Sequence, residues 1–540
     1  MLLSALRPLR GRMLPAWLIT LALLTAGCPA GSQSPAEATP PADAAGTAVE
    51  PAKSSTAAAD PKAHKAAPEP LFAGWDQPAA VLLLTGEQHG YFEPCGCTLG
   101  QSGGMSRRAN LVKQIEKRGW PVAGLDVGGT LRRARKQDQI KFDTIMEALK
   151  ELHYEGVAVG VEELRLTADY LISKQGDPSD LSGPVPLAAN VVLFDAPDIG
   201  TPKPFKVFSV GNIKVGVTAV LGLSHKPEVA PEGVTTNVTV KDPAEVLPGI
   251  VKELQAAQPQ LMVLLSHGSL AEAEALAKAH PEFQIVLAAG GHGDPANRPT
   301  MIGDTWLVQA GHKGRYVAAI GIYPSAKPQM KYELVSLDAE RFPDDDRMHE
   351  LMRQYQDRLQ QEAVSTSDEL LIRHPSGLQF VGADKCGECH TKAFAVWKDT
   401  KHAHAWDSLV KGHARPEDKD YIPRIYDPEC LSCHVVGWEP QEMLRFESGF
   451  FDEATTAHLK GQQCEHCHGP GSAHVNLESK FQEDASGIDA AQLTKLRVSM
   501  RQTLEDAKKS TGCYYCHDSD NSPAFEFDSY WEQIKHEGKD

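Results

Sequence analysis

Four times in the last third of the chain two cysteines stand three positions apart with a histidine directly after the second. The four are Cys386-Gly-Glu-Cys389-His390, Cys430-Leu-Ser-Cys433-His434, Cys464-Glu-His-Cys467-His468 and Cys513-Tyr-Tyr-Cys516-His517. Two thiols one turn apart can each add to a vinyl group of one porphyrin, and the adjoining histidine then reaches the iron as an axial ligand. Zinc ribbons also use Cys-x-x-Cys pairs, but nothing in a zinc ribbon requires a histidine after every pair. With 21 histidines in 540 residues, chance puts one at any given position about 4% of the time. The spacing therefore predicts four covalently bound c-type haems. Of eleven cysteines, only Cys28, Cys95 and Cys97 lie outside the motifs, too few for a disulfide-built scaffold.

The segments around these motifs set the compartment. Residues 1–28 read as a secretory signal: Arg7, Arg10 and Arg12, then the apolar stretch Leu14 to Leu24, then Thr25-Ala26-Gly27-Cys28. The last four residues resemble a bacterial lipobox, which makes Cys28 the expected lipidation site. Residues 29–74 are rich in Ala, Pro, Ser and Thr and hold too little apolar surface to offset their ordering entropy, so they read as a disordered tether. The expectation is an exported lipoprotein on the periplasmic or cell-surface side of a membrane, which suits haem attachment outside the cytoplasm. The formal net charge of −17 argues against nucleic acid as a partner. The length after the tether calls for more than one domain.

Residues 75–340 alternate short apolar runs with helical stretches. The runs include Val81-Leu82-Leu83-Leu84, Val122 to Leu125, Val157 to Val159, Lys214 to Val217 and Leu261 to Leu265. The helical stretches include Met105 to Arg118, Phe142 to Leu152 and Pro243 to Ala256. That pattern predicts an α/β architecture with buried sheets, and polar residues at strand ends are where its site belongs.

Those strand ends carry a resemblance. In order come Gly86-Glu87-Gln88-His89-Gly90, Gly103 to Arg108, Leu125-Asp126-Val127-Gly128-Gly129, Val159-Gly160-Val161-Glu162-Glu163, Leu265-Ser266-His267-Gly268, Gly290-Gly291-His292-Gly293-Asp294 and Trp306 to Gly311. Together they are similar to the calcineurin-like metallophosphoesterase domain of the 5′-nucleotidase and UDP-sugar hydrolase family. The resemblance implies a four-layer α/β/β/α sandwich with two metals that activate water and clamp a phosphoryl group.

Several motif positions depart from that family. Glu87 replaces the Asp of Asp-x-His, and Gly129 takes the last place of Asp-x-Gly-Asp. Val161 and Glu162 stand for the Asn and His of Gly-Asn-His-Glu, and Asp294 closes the Gly-His-x-His stretch. What remains as ligands for one divalent metal is Glu87, His89, Asp126, His267 and His292, a carboxylate and imidazole set that suits zinc, iron or manganese. Cys95-Gly96-Cys97 follows the first motif and reads as soft metal ligands, an exposed redox pair or an adventitious pair.

Residues 341–374 form a charged helical connector that opens on the run Asp344-Asp345-Asp346. Residues 375–540 then shift to His, Cys, Gly and Pro, predicting a mainly α domain filled by its haems. Around the four motifs stand Trp397, Lys401 to Ala405, Gly469 to His474 and Tyr530 to His536. This pattern resembles multihaem cytochromes of the type seen in the tetrahaem carrier of ammonia oxidisers. The resemblance implies His402, His474 and His536 as distal ligands, with His404 or His413 for the fourth iron. Filled axial positions suit electron transfer, while an iron left five-coordinate binds small molecules.

Three functions are compatible with these residues. The first is an exported electron-transfer protein serving redox proteins or quinol-linked donors. The second is a haem redox enzyme acting on a small nitrogen or sulfur compound. The third is an active metal-dependent phosphoesterase with haems attached.

Overall fold

Val81 and Leu83 face one hydrophobic core while Leu82 and Leu84 face another. This is why the first strand, Ala80–Thr85, is a continuous apolar run rather than an alternating one. In the computed structural model the described residues are 70–94, 101–174, 182–199, 202–291, 293–326, 329–412 and 420–539. All of them fall within one unit, Pro68–Asp540. Cys28, Cys95, Cys97, His292 and His413 lie outside the described residues.

Two six-stranded sheets organise the first half. In the first, Ala80–Thr85 runs parallel to Val122–Asp126 and antiparallel to Tyr316–Ile322. Val122–Asp126 continues to Tyr154–Ala158 and Val185–Leu187, and Met330–Ser336 closes the other edge. In the second sheet Ile213–Leu221, Leu261–His267, Ile285–Ala288 and Thr305–Gln309 are parallel neighbours. Phe205–Val210 and Thr300–Ile302 form its edges.

One core draws from both sheets, including Leu82, Leu125, Val217, Val263 and Leu287. A second packs helices Met105–Glu116 and Lys136–Glu151 on the other side of Val81 and Leu83. A third packs helices Pro243–Ala256 and Leu270–Ala279 against Leu264 and Val286. Parallel strands buried on both faces deliver Asp126 and His267, their last residues, to one end of the sheets.

The connector reading needs one correction. Helix Asp346–Gln361 forms, capped by Asp345, whose carboxylate accepts the N–H groups of Arg347 and Met348 at 3.0 and 3.2 Å. Its residues Met348, Leu351, Met352, Tyr355 and Leu359 recur at helical spacing and are buried in the same core as Val81. The helix is thus part of the sheet-bearing body rather than a spacer. The tether, read to residue 74, runs past the first packed residues. Leu71 and Phe72 are buried there too, with Phe72 packing on Trp75 at 4.8 Å between ring centroids.

From Leu371 onward the chain is mainly helical, with one small sheet of Leu371–Ile372, Leu444–Phe446 and Trp438–Glu439, and its apolar core shrinks to a small set around Trp406, Leu431, Val435, Trp438 and Phe450. Ile422 leaves that region and inserts into the core formed with Val81. Beside it, Asp427 is buried and accepts from Gln137 and Gln356 at 2.8 Å each. Lys141, 4% exposed, pairs with Glu429 at 2.7 Å. Arg424 pairs with Glu93 at 2.6 Å. Among the described residues no helix is long and apolar enough to cross a membrane.

Candidate functional site

The cysteine motifs sit on or directly after short helical turns: Pro428–His434 and Cys464–His468 hold both cysteines of their motifs, while Ala383–Gly387 and Cys513–Tyr515 hold the first cysteine and end before the second. All eight motif cysteines are free of disulfides. The Cys386 and Cys464 thiols interact, as do those of Cys433 and Cys516. The first and third motifs are therefore neighbours, and so are the second and fourth.

Opposite three of the motif histidines stands a second histidine from a distant part of the chain. His390 faces His474 at 6.2 Å between ring centroids, His517 faces His402 at 6.1 Å, and His468 faces His536 at 5.8 Å. An iron held between two imidazole nitrogens, each about 2 Å away, places ring centroids roughly 6 Å apart, so the residues present fit bis-histidine haem iron. Ring orientation fits as well. His434 and His468 donate Nδ1–H to the carbonyls of Ala405 and Met500 at 2.8 and 2.5 Å, and His517 Nδ1 lies 3.0 Å from the Ser522 hydroxyl. A hydrogen bond at Nδ1 fixes the tautomer and leaves Nε2 for the metal.

His402 is held neutral, its pKa lowered to about 4 by burial and then by the neighbouring His517. His404, named with His413 for the fourth distal place, is largely exposed and lies 3.8 Å from Asp407. His466, within the third motif, has both ring nitrogens buried, and burial lowers its pKa to about 3.

A second group of ligand-type residues lies at the sheet ends in the first half. Glu87, His89 and His312 gather with one ligand atom each, all within 4.8 Å of one another. Glu87 and His89 adopt φ of 47° and 50°, a left-handed backbone that costs energy outside glycine and is held here by the surroundings. Their N–H groups donate to the carbonyls of Gly128 and Gly129 at 2.7 and 2.8 Å, and the Glu87 carbonyl accepts from Lys313 N at 2.7 Å. Gly129 has φ 71°, and a Cβ there would lie 3.1 Å from the Glu87 Cα. Position 129 thus packs directly against residue 87.

Of the five residues read from sequence as ligands, the structure gathers Glu87 and His89 and adds His312. Asp126 is buried and committed elsewhere, accepting from the Thr85 hydroxyl at 2.6 Å and from Gly128 N at 2.9 Å. His267 is also engaged, its Nδ1 bonded to the Val127 carbonyl at 2.9 Å and its Nε2 3.2 Å from Glu162. Burial alone would lower the His267 pKa, but the bond and charge of Glu162 outweigh it and lift the value to about 9. Glu162 is conversely lowered to about 2, because the hydrogen bond and charge of His267 exceed its own burial cost. Gly160 makes room for this pair, since a Cβ there would lie 2.3 Å from the His267 ring. His89 stays neutral, burial lowering its pKa to about 4. His312 directly follows the strand-end stretch that closes at Gly311, and this position was the only sequence signal for it.

Comparison with known proteins accords with the haem motifs first. Residues 385–469, which hold the first three of the four Cys-x-x-Cys-His motifs, match the model of the family described as cytochrome c554 and c-prime. A curated relative is cytochrome c-554 of Nitrosomonas europaea, 30% identical over 143 residues, which are 26% of this chain and 57% of that protein. The chain thus spans little more than half the length of the relative it matches.

For the sheet-bearing half, similar solved structures include a 5′-nucleotidase precursor from Thermus thermophilus, with 22% identity, TM-score 0.43, and coverage of 52% of this chain and 59% of that one. They also include the sulfate thiohydrolase SoxB of Thermus thermophilus, with 18% identity, TM-score 0.44, and coverage of 53% and 62%. A third is the calcineurin-like phosphoesterase YfkN from Bacillus subtilis, with 15% identity, TM-score 0.41, and coverage of 52% and 97%.

Proposed function

We propose that this chain is an exported tetrahaem c-type cytochrome that transfers electrons, anchored to a membrane through lipid on Cys28. Its first half is then a phosphoesterase-like, four-layer α/β/β/α sandwich that has given up two-metal hydrolysis. The observation that carries the reading is the set of three facing pairs, His390 with His474, His517 with His402 and His468 with His536. When bound, a haem supplies a one-electron iron couple, and two imidazoles on one iron keep that couple free of substrate. The chain's own part is to fix the rings. Backbone carbonyls of Ala405 and Met500 orient His434 and His468, and the sparse apolar core of the region leaves its interior to the prosthetic groups.

Neighbouring motifs support a continuous path, because the Cys386–Cys464 and Cys433–Cys516 contacts bring the attachment points together two by two. The partners are redox proteins or quinol-linked donors on the outer side of the membrane. Nucleic acid is not among them, given a net charge of −17. Loss of hydrolysis rests on Gly129, Val161 and Glu162 at positions that the resemblance assigns to ligands and a donor. A carboxylate at 162 repels a phosphate where a histidine would attract it.

The test is a pyridine haemochrome count joined to electron paramagnetic resonance of the oxidised protein. Four haems per chain are expected, with at least three low-spin ferric signals of bis-imidazole type. Fewer than three such signals in a fully loaded sample would overturn the assignment.

A further inference from the structure

The Glu87, His89 and His312 cluster does not stand alone in the fold. Lys313, next to His312, donates its backbone N–H to the Glu87 carbonyl at 2.7 Å and its ammonium to the Asp520 carboxylate. Tyr91, two residues beyond His89, donates its hydroxyl to the other Asp520 oxygen at 3.1 Å. Gln101 donates to the Asp520 carbonyl at 2.9 Å. Asp520 in turn donates its N–H to Asp518 at 2.9 Å, and Asp518 directly follows His517 of the fourth attachment motif. The three-ligand cluster and the fourth haem motif are thus clamped together by a single aspartate.

The donor set restricts the metal. Two imidazoles and one carboxylate with open positions form the ligand set of mononuclear non-haem ferrous sites. Zinc accepts the same set, so the ligands alone do not choose. The setting chooses. A site tied within a few residues to an electron-transfer centre gains nothing from a metal that cannot change valence, and zinc cannot. His312 matches none of the phosphoesterase motif positions, and Asp126 and His267, which do, are held by other partners.

We propose that Glu87, His89 and His312 hold one non-haem iron that exchanges single electrons with the haem attached at Cys513, Cys516 and His517. The electron half of this inference rests on the haem reading above, whereas the iron-binding half does not. In the exchange one electron leaves the ferrous site, which becomes ferric, and one ferric haem becomes ferrous; no bond is made or broken and no proton moves.

The test uses the full-length, haem-loaded protein stripped of non-haem metal by chelation. Anaerobic titration with ferrous iron is expected to give one iron per chain. His312→Ala and Glu87→Gln should each weaken binding by at least about tenfold, with haem content and circular dichroism unchanged. Haem absorbance then reads the electron. Either ferrous iron reduces haem in the oxidised protein or ferric iron oxidises it in the reduced protein, one haem electron per iron, and His312→Ala abolishes the effect. Undiminished iron binding in both variants overturns the site. Iron bound without haem change in either direction overturns the coupling. A haem count that stays the same in Cys513→Ala/Cys516→Ala marks failure of the haem reading, and the iron stoichiometry is then judged on its own.

Discussion

Glu162 lies 3.2 Å from His267 Nε2, in a place where the resembled family carries a histidine, and the pair forms an internal charge couple between the short helix Val161–Leu164 and the last residue of strand Leu261–His267. His267 is lifted to about 9 and Glu162 lowered to about 2. The stabilisation from His267 is complete below its unfolded pKa of about 6.5 and is lost as pH rises through about 9. That from Glu162 is complete above about 4.3 and is lost as pH falls through about 2. The couple thus contributes fully between roughly pH 4.5 and 6.5. Glu162→Gln is expected to cost on the order of 2 kcal/mol in that window and to flatten the alkaline limb, as measured by denaturant unfolding across pH. An alkaline limb unchanged in the variant would show that the couple does not form.

Each facing histidine should behave as an iron ligand in its own right. His402→Ala, His474→Ala and His536→Ala are each expected to convert one low-spin haem to high spin while leaving the haem count unchanged. Resonance Raman spin-state markers check this, and a variant that stays wholly low-spin removes that histidine from the ligand set.

Haem attachment itself is read from a double substitution. Cys464→Ala with Cys467→Ala should lower the haemochrome count from four to three. Retention of all four would mean the third motif does not carry haem.

Hydrolysis of nucleotides and UDP-sugars should be absent or very weak with manganese, zinc or cobalt supplied. Asp126 is occupied by Thr85 and Gly128, and His267 by Glu162 and Val127, so neither is disposed to clamp a second metal. Rapid turnover that disappears in Asp126→Ala would make this an active phosphoesterase after all.

The proposed lipid anchor makes membrane attachment depend on Cys28. Wild-type protein should partition with membranes and Cys28→Ala should release it or stall its processing, since an acyl chain adds about 0.8 kcal/mol per buried CH₂. Fractionation and mass analysis of the mature start decide the matter.

Much of the architecture was legible because its signals are local. Val81 to Leu84 and Leu261 to Leu265 are buried on both faces, so they stand out as apolar runs. Helix Lys136–Glu151 was read from Phe142 onward, because its first turn, Lys136-Gln137-Asp138, is polar and signals its start only through Asp138 accepting from Arg135 N at 3.0 Å. Strand Met330–Ser336 escaped because it is a half-buried edge with charged Lys331 and Glu333. The site was legible in part. The Cys-x-x-Cys-His spacing is self-contained, and Glu87 and His89 share one motif. His312 is brought to them only when two distant strand ends meet, and no local pattern encodes that meeting. The same holds for Lys141 and Glu429, whose pairing joins residues far apart in sequence.

The seam between the two halves bears on how the chain can be dissected. Ile422 is planted in the sheet-side core, and Asp427 is held by Gln137 and Gln356. A cut near residue 374 would strand Lys141 without its carboxylate and strip Asp427 of both amide donors. Neither fragment would keep the surface it has in the whole. The second Cys-x-x-Cys-His motif begins one residue past Glu429, so the cysteine-rich segment takes part of its shape from the neighbour it is fused to. The fusion is better regarded as a shared foundation than as two tenants on one chain.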